Sequence, residues 1–351
     1  MGFSSASGLT DSSDVDHQQT INRTHQGDRI SPQSVESNQS ITISGDRTIT
    51  LGRDHGSTVD GDNVVVGVGA QARADSNGAV AGDDPRQVSV GYQAGRENEQ
   101  FGLTAVGYNA GRRADVDEAT AIGHVAAEES TSTRSVFVGS KAGRYSDGGQ
   151  EVLIGERAGE RNTGNRCTST GSAAGRDNTG SNLTAVGFEA AETNTGNNVV
   201  GIGRRAAENN SGDRTTAVGN TAAQDNSGFN STLIGNRSGS ANDGDRCTAI
   251  GFTSSRVNTG NRVIAIGVGA GDGIGLDDPS TMGDDNIGIG RDALSDNQAS
   301  GLIAIGQQAG SGETTDDQLI ITQRDGSRRM VMDLTTGDLK ITGSLTENAT
   351  L

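Results

Sequence analysis

A glycine preceded by a β-branched residue recurs every 16 residues, twelve times in succession: Gly91, Gly107, Gly123, Gly139, Gly155, Gly171, Gly187, Gly203, Gly219, Gly235, Gly251 and Gly267. Outlying copies stand at Gly67, Gly290 and Gly306, and the step of 23 from Gly267 to Gly290 marks a seven-residue insertion (23 − 16). With the repeat glycine as position 0, position −1 is Val or Ile in eleven of the twelve copies: Val90, Val106, Ile122, Val138, Ile154, Val186, Ile202, Val218, Ile234, Ile250 and Ile266. Position −3 is always β-branched, and position +3 is Ala in ten copies. Position +9 is Gly in eight consecutive copies, often within Asn-Thr-Gly or Asn-Ser-Gly. Fixed periods of this length are the signature of stacked repeat architectures.

Val, Ile and Thr favour a pleated strand, on which positions −3 and −1 point to the same side. The repeat glycine and the Asn-x-Gly near +9 read as two corners where positive φ is cheap. Sixteen residues with two corners form one small coil, and stacked coils satisfy the backbone of each strand through its neighbours. The expected fold class is therefore all-β, a β-solenoid of the β-roll or β-helix kind with 16-residue coils. At about 4.8 Å per coil, eleven steps give a rod of roughly 50 Å. A helix is excluded, because the two glycines would each cost about 1 kcal/mol relative to Ala in every repeat.

The Val/Ile column at −1 and the β-branched column at −3 are expected to fill the coil as solenoid core. The opposite face of the strand is also small or apolar: Ala105, Ala121, Leu153, Ala185, Leu233, Ala249 and Ala265 at −2, with Leu183 at −4. A solvated strand would alternate apolar with charged residues. This second face is therefore expected to be a subunit seam in a homo-oligomer. Cys167 and Cys247 lie 80 residues, or five repeats, apart in the same phase. That places them roughly 24 Å apart along the rod, too far for an intrachain disulfide; they read first as small buried thiols.

Aromatic residues make up 3% of the 351-residue chain and Trp is absent, so any core is thin and repeated. Gly supplies 54 residues without a G-X-Y period, which excludes collagen. The formal charge is −17, and the 28 basic residues include only two lysines, Lys141 and Lys340. Phosphate recognition needs a basic footprint, so no nucleic-acid partner is expected. Nor is insertion into a membrane, since no long apolar run is present. Acidic, Lys-poor composition suits solubility in high salt and points to a halophilic source; codon bias in a GC-rich genome is the alternative.

Thr184-Ala185-Val186-Gly187-Phe188-Glu189-Ala190, Val263-Ile264-Ala265-Ile266-Gly267-Val268-Gly269-Ala270 and Leu302-Ile303-Ala304-Ile305-Gly306-Gln307-Gln308-Ala309 resemble the head repeats of trimeric autotransporter adhesins, whose unit reads approximately Val-Ala-Ile-Gly-x-x-Ala. The resemblance covers about residues 62–310. It implies left-handed parallel β-rolls in an intimate homotrimer, with handedness and the number three coming from the family alone. The same repeats occur in tail-fibre and spike proteins of tailed viruses, and Asn178-Thr179-Gly180 and Asn194-Thr195-Gly196 look like that variety. The chain shows neither a signal peptide nor the aromatic-girdled anchor strands of the autotransporters, which favours the viral form.

Four parts are expected: an extended N-terminal attachment segment (1–38), a β lead-in (39–66), the solenoid (67–310) and a small β-meander or cap (311–351). The cap rests on Leu319-Ile320-Ile321 and Met330-Val331-Met332 flanking Arg324-Asp325-Gly326-Ser327, a hairpin signal. No catalytic residue and no cofactor is expected, since His17, His25, His55 and His124 lack ligand spacing. The oxygen-rich stretch carrying Asp277, Asp278, Asp284 and Asp285 is a Ca²⁺ candidate, but reads first as a solvated acidic loop. The functional expectation is a structural fibre or spike on a virion surface, a tail fibre or capsid turret. It would hold other virion proteins through the N-terminal segment and attach to a host surface protein or glycan. The alternatives are a cell-surface adhesin head, a tailspike-like polysaccharide depolymerase, and an ice-binding solenoid suggested by the Thr residues at −3. No receptor-binding residue is identifiable from the sequence.

Overall fold

The computed structural model describes residues 18–20, 40–42, 49–51, 56–57, 64–67, 70–72, 87–98, 102–273 and 283–342. Six short strands come first: β1 (Gln18–Thr20), β2 (Ser40–Thr42), β3 (Ile49–Leu51), β4 (Gly56–Ser57), β5 (Val64–Val66) and β6 (Gln71–Ala72). Strands β1 and β2 pair in parallel, as do β4 and β6. The main stack starts with β3 on β5 and continues without a break through fourteen three-residue strands, from β7 (Val88–Val90) to β20 (Ile303–Ile305). Each of these strands is the −3 to −1 segment of one repeat. It pairs in parallel with the same segment of the next coil, as Thr184, Ala185 and Val186 do with Val200, Gly201 and Ile202. The seven-residue insertion does not disturb this register: Ile264 still pairs with Ile287. The described residues contain no helix. The expectations for the N-terminal segment concern residues that lie, apart from the short strands, outside those described.

Hydrogen bonds between coils also run along the non-strand sides. In the coil of Gly187 the amide of Thr184 donates to Val199 O at 2.9 Å and that of Gly187 to Thr170 O at 2.9 Å. The amides of Ala191 and Thr195 donate to Ala206 O and Asn210 O at 2.8 and 2.9 Å. Every side of the coil is thus closed by the coil before or after it, which satisfies the backbone without a conventional wide sheet.

The two strand faces are the reverse of the sequence expectation. Ala105, Ala121, Leu153, Leu183, Ala185, Leu233, Ala249 and Ala265, read as a subunit seam, are buried inside the coil. Val90, Val106, Ile122, Val138, Ile154, Val186, Ile202, Val218, Ile234, Ile250 and Ile266, read as core, point outward and are partly or largely exposed. The cause is the width of the coil. Across the interior the −2 side chain meets the +3 Ala column and the +4 residue, and the space there admits one large group at a time. Where −2 is large, +4 is glycine: a Cβ on Gly143, Gly159 or Gly239 would overlap Phe137, Leu153 or Leu233. Where −2 is Ala185, Gly201 or Ala217, +4 is Ala191, Ala207 or Ala223, all buried. One coil inverts the pair, with Leu294 against Gly288. This volume matching gives a close-packed interior from very small side chains.

The repeat glycines Gly91 to Gly267 have φ between 131° and 145°, a region open only to glycine. A Cβ at any of them would also overlap the carbonyl of the repeat glycine in the next coil. The +9 glycines, by contrast, are not at positive φ. They are required for space: a Cβ on Gly180 would overlap Gly196 O and approach Asn194 Nδ2. The left-handed corners fall instead on ordinary residues such as Arg205, Ala207, Asn209 and Arg214.

Position +7 supplies a polar spine inside the stack. Asn162, Asn178, Asn194, Asn210, Asn226, Asn242 and Asn258 are all buried. Each Nδ2 from Asn178 onward donates to Oδ1 of the Asn one coil earlier, at 2.6–2.9 Å, and to the carbonyl of the +9 glycine of its own coil. Buried amides are tolerable only when paired in this way.

At the far end β20 pairs in parallel with β21 (Gln318–Thr322), which turns back antiparallel into β22 (Arg328–Asp333) and then β23 (Leu339–Ile341). Asp325 and Asp333 hold the two turns by accepting from Ser327 N and Thr335 N, at 2.9 and 2.8 Å. Ile320 continues the interior apolar column, so the meander closes the open end of the stack.

Candidate functional site

The outer strand face is the largest candidate surface. Over β7 to β20 positions −3 and −1 contain only Val, Ile and Thr, with no charged residue on the face. Ile122 and Ile202 are 41% exposed, and Val136, Val152 and Ile264 are 37% exposed. With thirteen steps of about 4.8 Å and two side chains across, the stripe measures roughly 60 by 10 Å, on the order of 600 Å². That matches the upper end for the largest apolar patch on a typical monomer. The face is flat and β-branched because strand propensity selects Val, Ile and Thr at these positions.

Position +1, just past the repeat glycine, carries further exposed apolar groups: Phe188, Phe252 and Val268. Near the first coils this column is a ring stack. Tyr92 lies on Tyr108 and Tyr108 on His124, each pair with centroids 5.1 Å apart and planes within 12°. Exact repetition of backbone places equal positions one strand spacing apart, so identical residue types stack.

Charges are organised by the same rule on another flank. Glu128 is almost fully buried between Arg112 and Arg144, which approach its two oxygens at 2.9 and 3.0 Å. Arg113 bridges Glu97 and Glu129 at 3.1 and 3.2 Å. Arg161 donates to Asp177, and its guanidinium holds that carboxyl below the usual range. These ladders join one coil to the next on a chain of high negative charge.

Glu189, Glu192 and Glu208 bring three carboxylates within 4.8 Å of one another. Arg205 pairs with Glu189 at 2.6 Å, Arg176 pairs with Glu192, and Gln224 Nε2 donates to Glu208 at 2.8 Å. Arginines from neighbouring coils thus pair two of the three carboxylates, and a neutral amide donates to the third.

Of the Ca²⁺ candidates, Asp277 and Asp278 lie outside the described residues. Asp284 and Asp285 are engaged within the stack: Asp284 accepts from Asn261 N at 2.7 Å, and Asp285 pairs with Arg262. They act as side-chain links between coils on either side of the insertion. Cys167 and Cys247 are free and buried. Burial pushes both thiols up to about 11, so neither is a nucleophile near neutral pH. Each accepts from the Asn two residues before the +9 glycine of its coil, Asn178 Nδ2 at 3.6 Å and Asn258 Nδ2 at 3.2 Å.

The sequence reading missed the Asn spine and assigned the buried and exposed strand faces the wrong way round. The −2/+4 volume exchange (Phe137 with Gly143, Leu153 with Gly159, Gly288 with Leu294) was the signal that could have located the interior. No protein-family model, no curated protein and no solved structure matches the chain.

Proposed function

We propose that the chain is a structural subunit of a virion surface fibre or spike that self-associates as a homotrimer through its Val/Ile/Thr face and carries attachment to a host cell surface. The observation that carries this reading is the uncharged β-branched stripe running the length of the stack. A rod with so thin a core gains stability by covering that stripe, and three copies with parallel axes cover it completely at a common axis. The stripe replaces the Ala/Leu column as the seam.

The viral part of the reading rests on the repeat resemblance and the Asn-Thr-Gly variant of the repeat. An acidic surface with 26 arginines and two lysines (28 − 2) supports a halophilic host. The paired state of the one described carboxylate cluster supports a structural rather than a polysaccharide-cleaving role. No long apolar helix is present among the described residues.

Light scattering on the purified chain tests the trimer. A mass near three times 35.7 kDa is expected, and a folded monomer would overturn it. Binding of the purified rod to intact host cells, lost on competition with excess rod, tests attachment. Melting in molar against low salt tests the halophilic source, with a higher melting point in molar salt expected.

A further inference from the structure

The Asn spine has an irregular beginning. From Asn178 to Asn258 each amide donates to the Asn one coil earlier, but Asn162 has no such partner, because position +7 of the preceding coil is Ser146. Asn162 Nδ2 donates instead to Oε1 of Glu151. The other oxygen, Oε2, accepts from Ser146 Oγ at 2.7 Å, and Ser132 Oγ donates to Ser146 Oγ at 3.0 Å. Glu151 is wholly buried. A short Ser and a long Glu therefore fill the volume of the missing Asn, and the Glu carboxyl stands where an amide oxygen would be.

This substitution differs from an amide in one respect: the carboxyl can ionise. All groups packed on it are neutral donors or thiol. Ser132 and Ser146 come from earlier coils, Asn162 from its own coil and Cys167 from the next, while Ser135 Oγ accepts from the backbone amide of Glu151 at 3.0 Å. Among the main influences on it the charged group is Asp147, which is exposed and of like sign. No cation faces it among the described residues. We propose that Glu151 is a proton-linked latch in the stack: as the neutral acid it completes the Asn spine, and as the carboxylate it loosens the coils around residues 144–166.

The titration supports this sign. Burial pushes the carboxyl up from 4.5 to about 6, against the lowering effect of its hydrogen bonds to Ser146, Ser132 and Asn162. The folded state therefore binds the proton more tightly than the unfolded chain. The contribution is fully present below about pH 4.5, declines as pH rises to about 6, and is absent above that. Across the window the closing equilibrium of this coil becomes about 30-fold less favourable, the ratio of the two proton affinities.

The test is amide hydrogen exchange of the full chain between pH 4 and 8, corrected for intrinsic rates and referred to a distal coil at 216–250. In the natural sequence protection over 144–166 is expected to fall about 30-fold relative to the distal coil as pH rises. Glu151→Gln, whose amide oxygen can still accept from Asn162 Nδ2 while its NH2 donates to Ser146 Oγ without a charge, is expected to abolish the fall. A second variant, Ser146→Asn with Glu151→Thr, copies the native coil in which Thr215 sits beside Asn210 and Asn226, and is expected to be equally flat. A pH profile in either folded variant that parallels the natural chain would overturn the proposal, as would a flat profile in the natural chain.

Discussion

The inner and outer faces of a single three-residue strand follow opposite rules. Inside, Ala185, Gly201 and Ala217 sit in successive coils with Leu or Phe only where the facing residue is glycine. Outside, Val186, Ile202 and Val218 repeat with little variation and no facing partner among the described residues. The interior is governed by volume and the exterior by shape and propensity. A large side chain enters the coil only opposite a glycine, and the unvarying Val and Ile column stays outside. In most folds apolar residues mark the core; in a coil this thin they occupy both faces, and matched volume marks the inside.

Substitutions can break this comparison at several strengths. Gly203→Ala should do most, since it puts a Cβ at φ 131° against the carbonyl of Gly219; a loss of about 3 kcal/mol or more is expected in chemical denaturation. Asn210→Ala should cost about 1–3 kcal/mol, because Asn194 Oδ1 and Gly212 O lose their buried donor. Gly159→Ala should cost a similar 1–3 kcal/mol, roughly, by crowding Leu153. Adding Leu153→Ala to it should recover most of that loss, because the pair then matches Ala185 with Ala191; no recovery would remove the volume rule. On the outer face Ile202→Asp with Ile234→Asp should leave the circular dichroism of the rod unchanged and lower its mass in light scattering. Retention of the trimer mass would show that the outer stripe is not the seam. The weakest effect is expected from Asp177→Asn. The folded carboxyl is held low by Arg161, so its contribution is present at neutral pH and lost as pH falls below its ordinary value of 3.8. Its partly exposed, screened pair should be worth under about 1 kcal/mol in acid melts.

The period, the strand segments and the glycine requirement at position 0 were legible because each is a strict repeat with a backbone cause. The assignment of faces was not, since hydrophobicity ranks Val and Ile above Ala, and only the width of the coil reverses that order. Asn178 and Asn194 were legible as members of turn-like Asn-Thr-Gly triplets, yet their side chains turn inward. A narrow coil has room for an amide in its interior and a supply of identical amides above and below to pair with. Glu151 carried no signal at all in isolation. Its role depends on Ser146 being too short, sixteen residues (162 − 146) before Asn162 in sequence and one coil away in space.

The parallel pairing of Ile264 with Ile287 across the insertion has a consequence for how such molecules change. Because a loop can be spliced in without shifting a single strand partner, whole coils can be gained or lost by recombination between near-identical segments. The length of the protein then behaves as a counted quantity, altered in increments of about 4.8 Å while the rest of the molecule keeps its shape. Reach toward a distant surface could in this way be adjusted by copy number alone, with no new fold to invent.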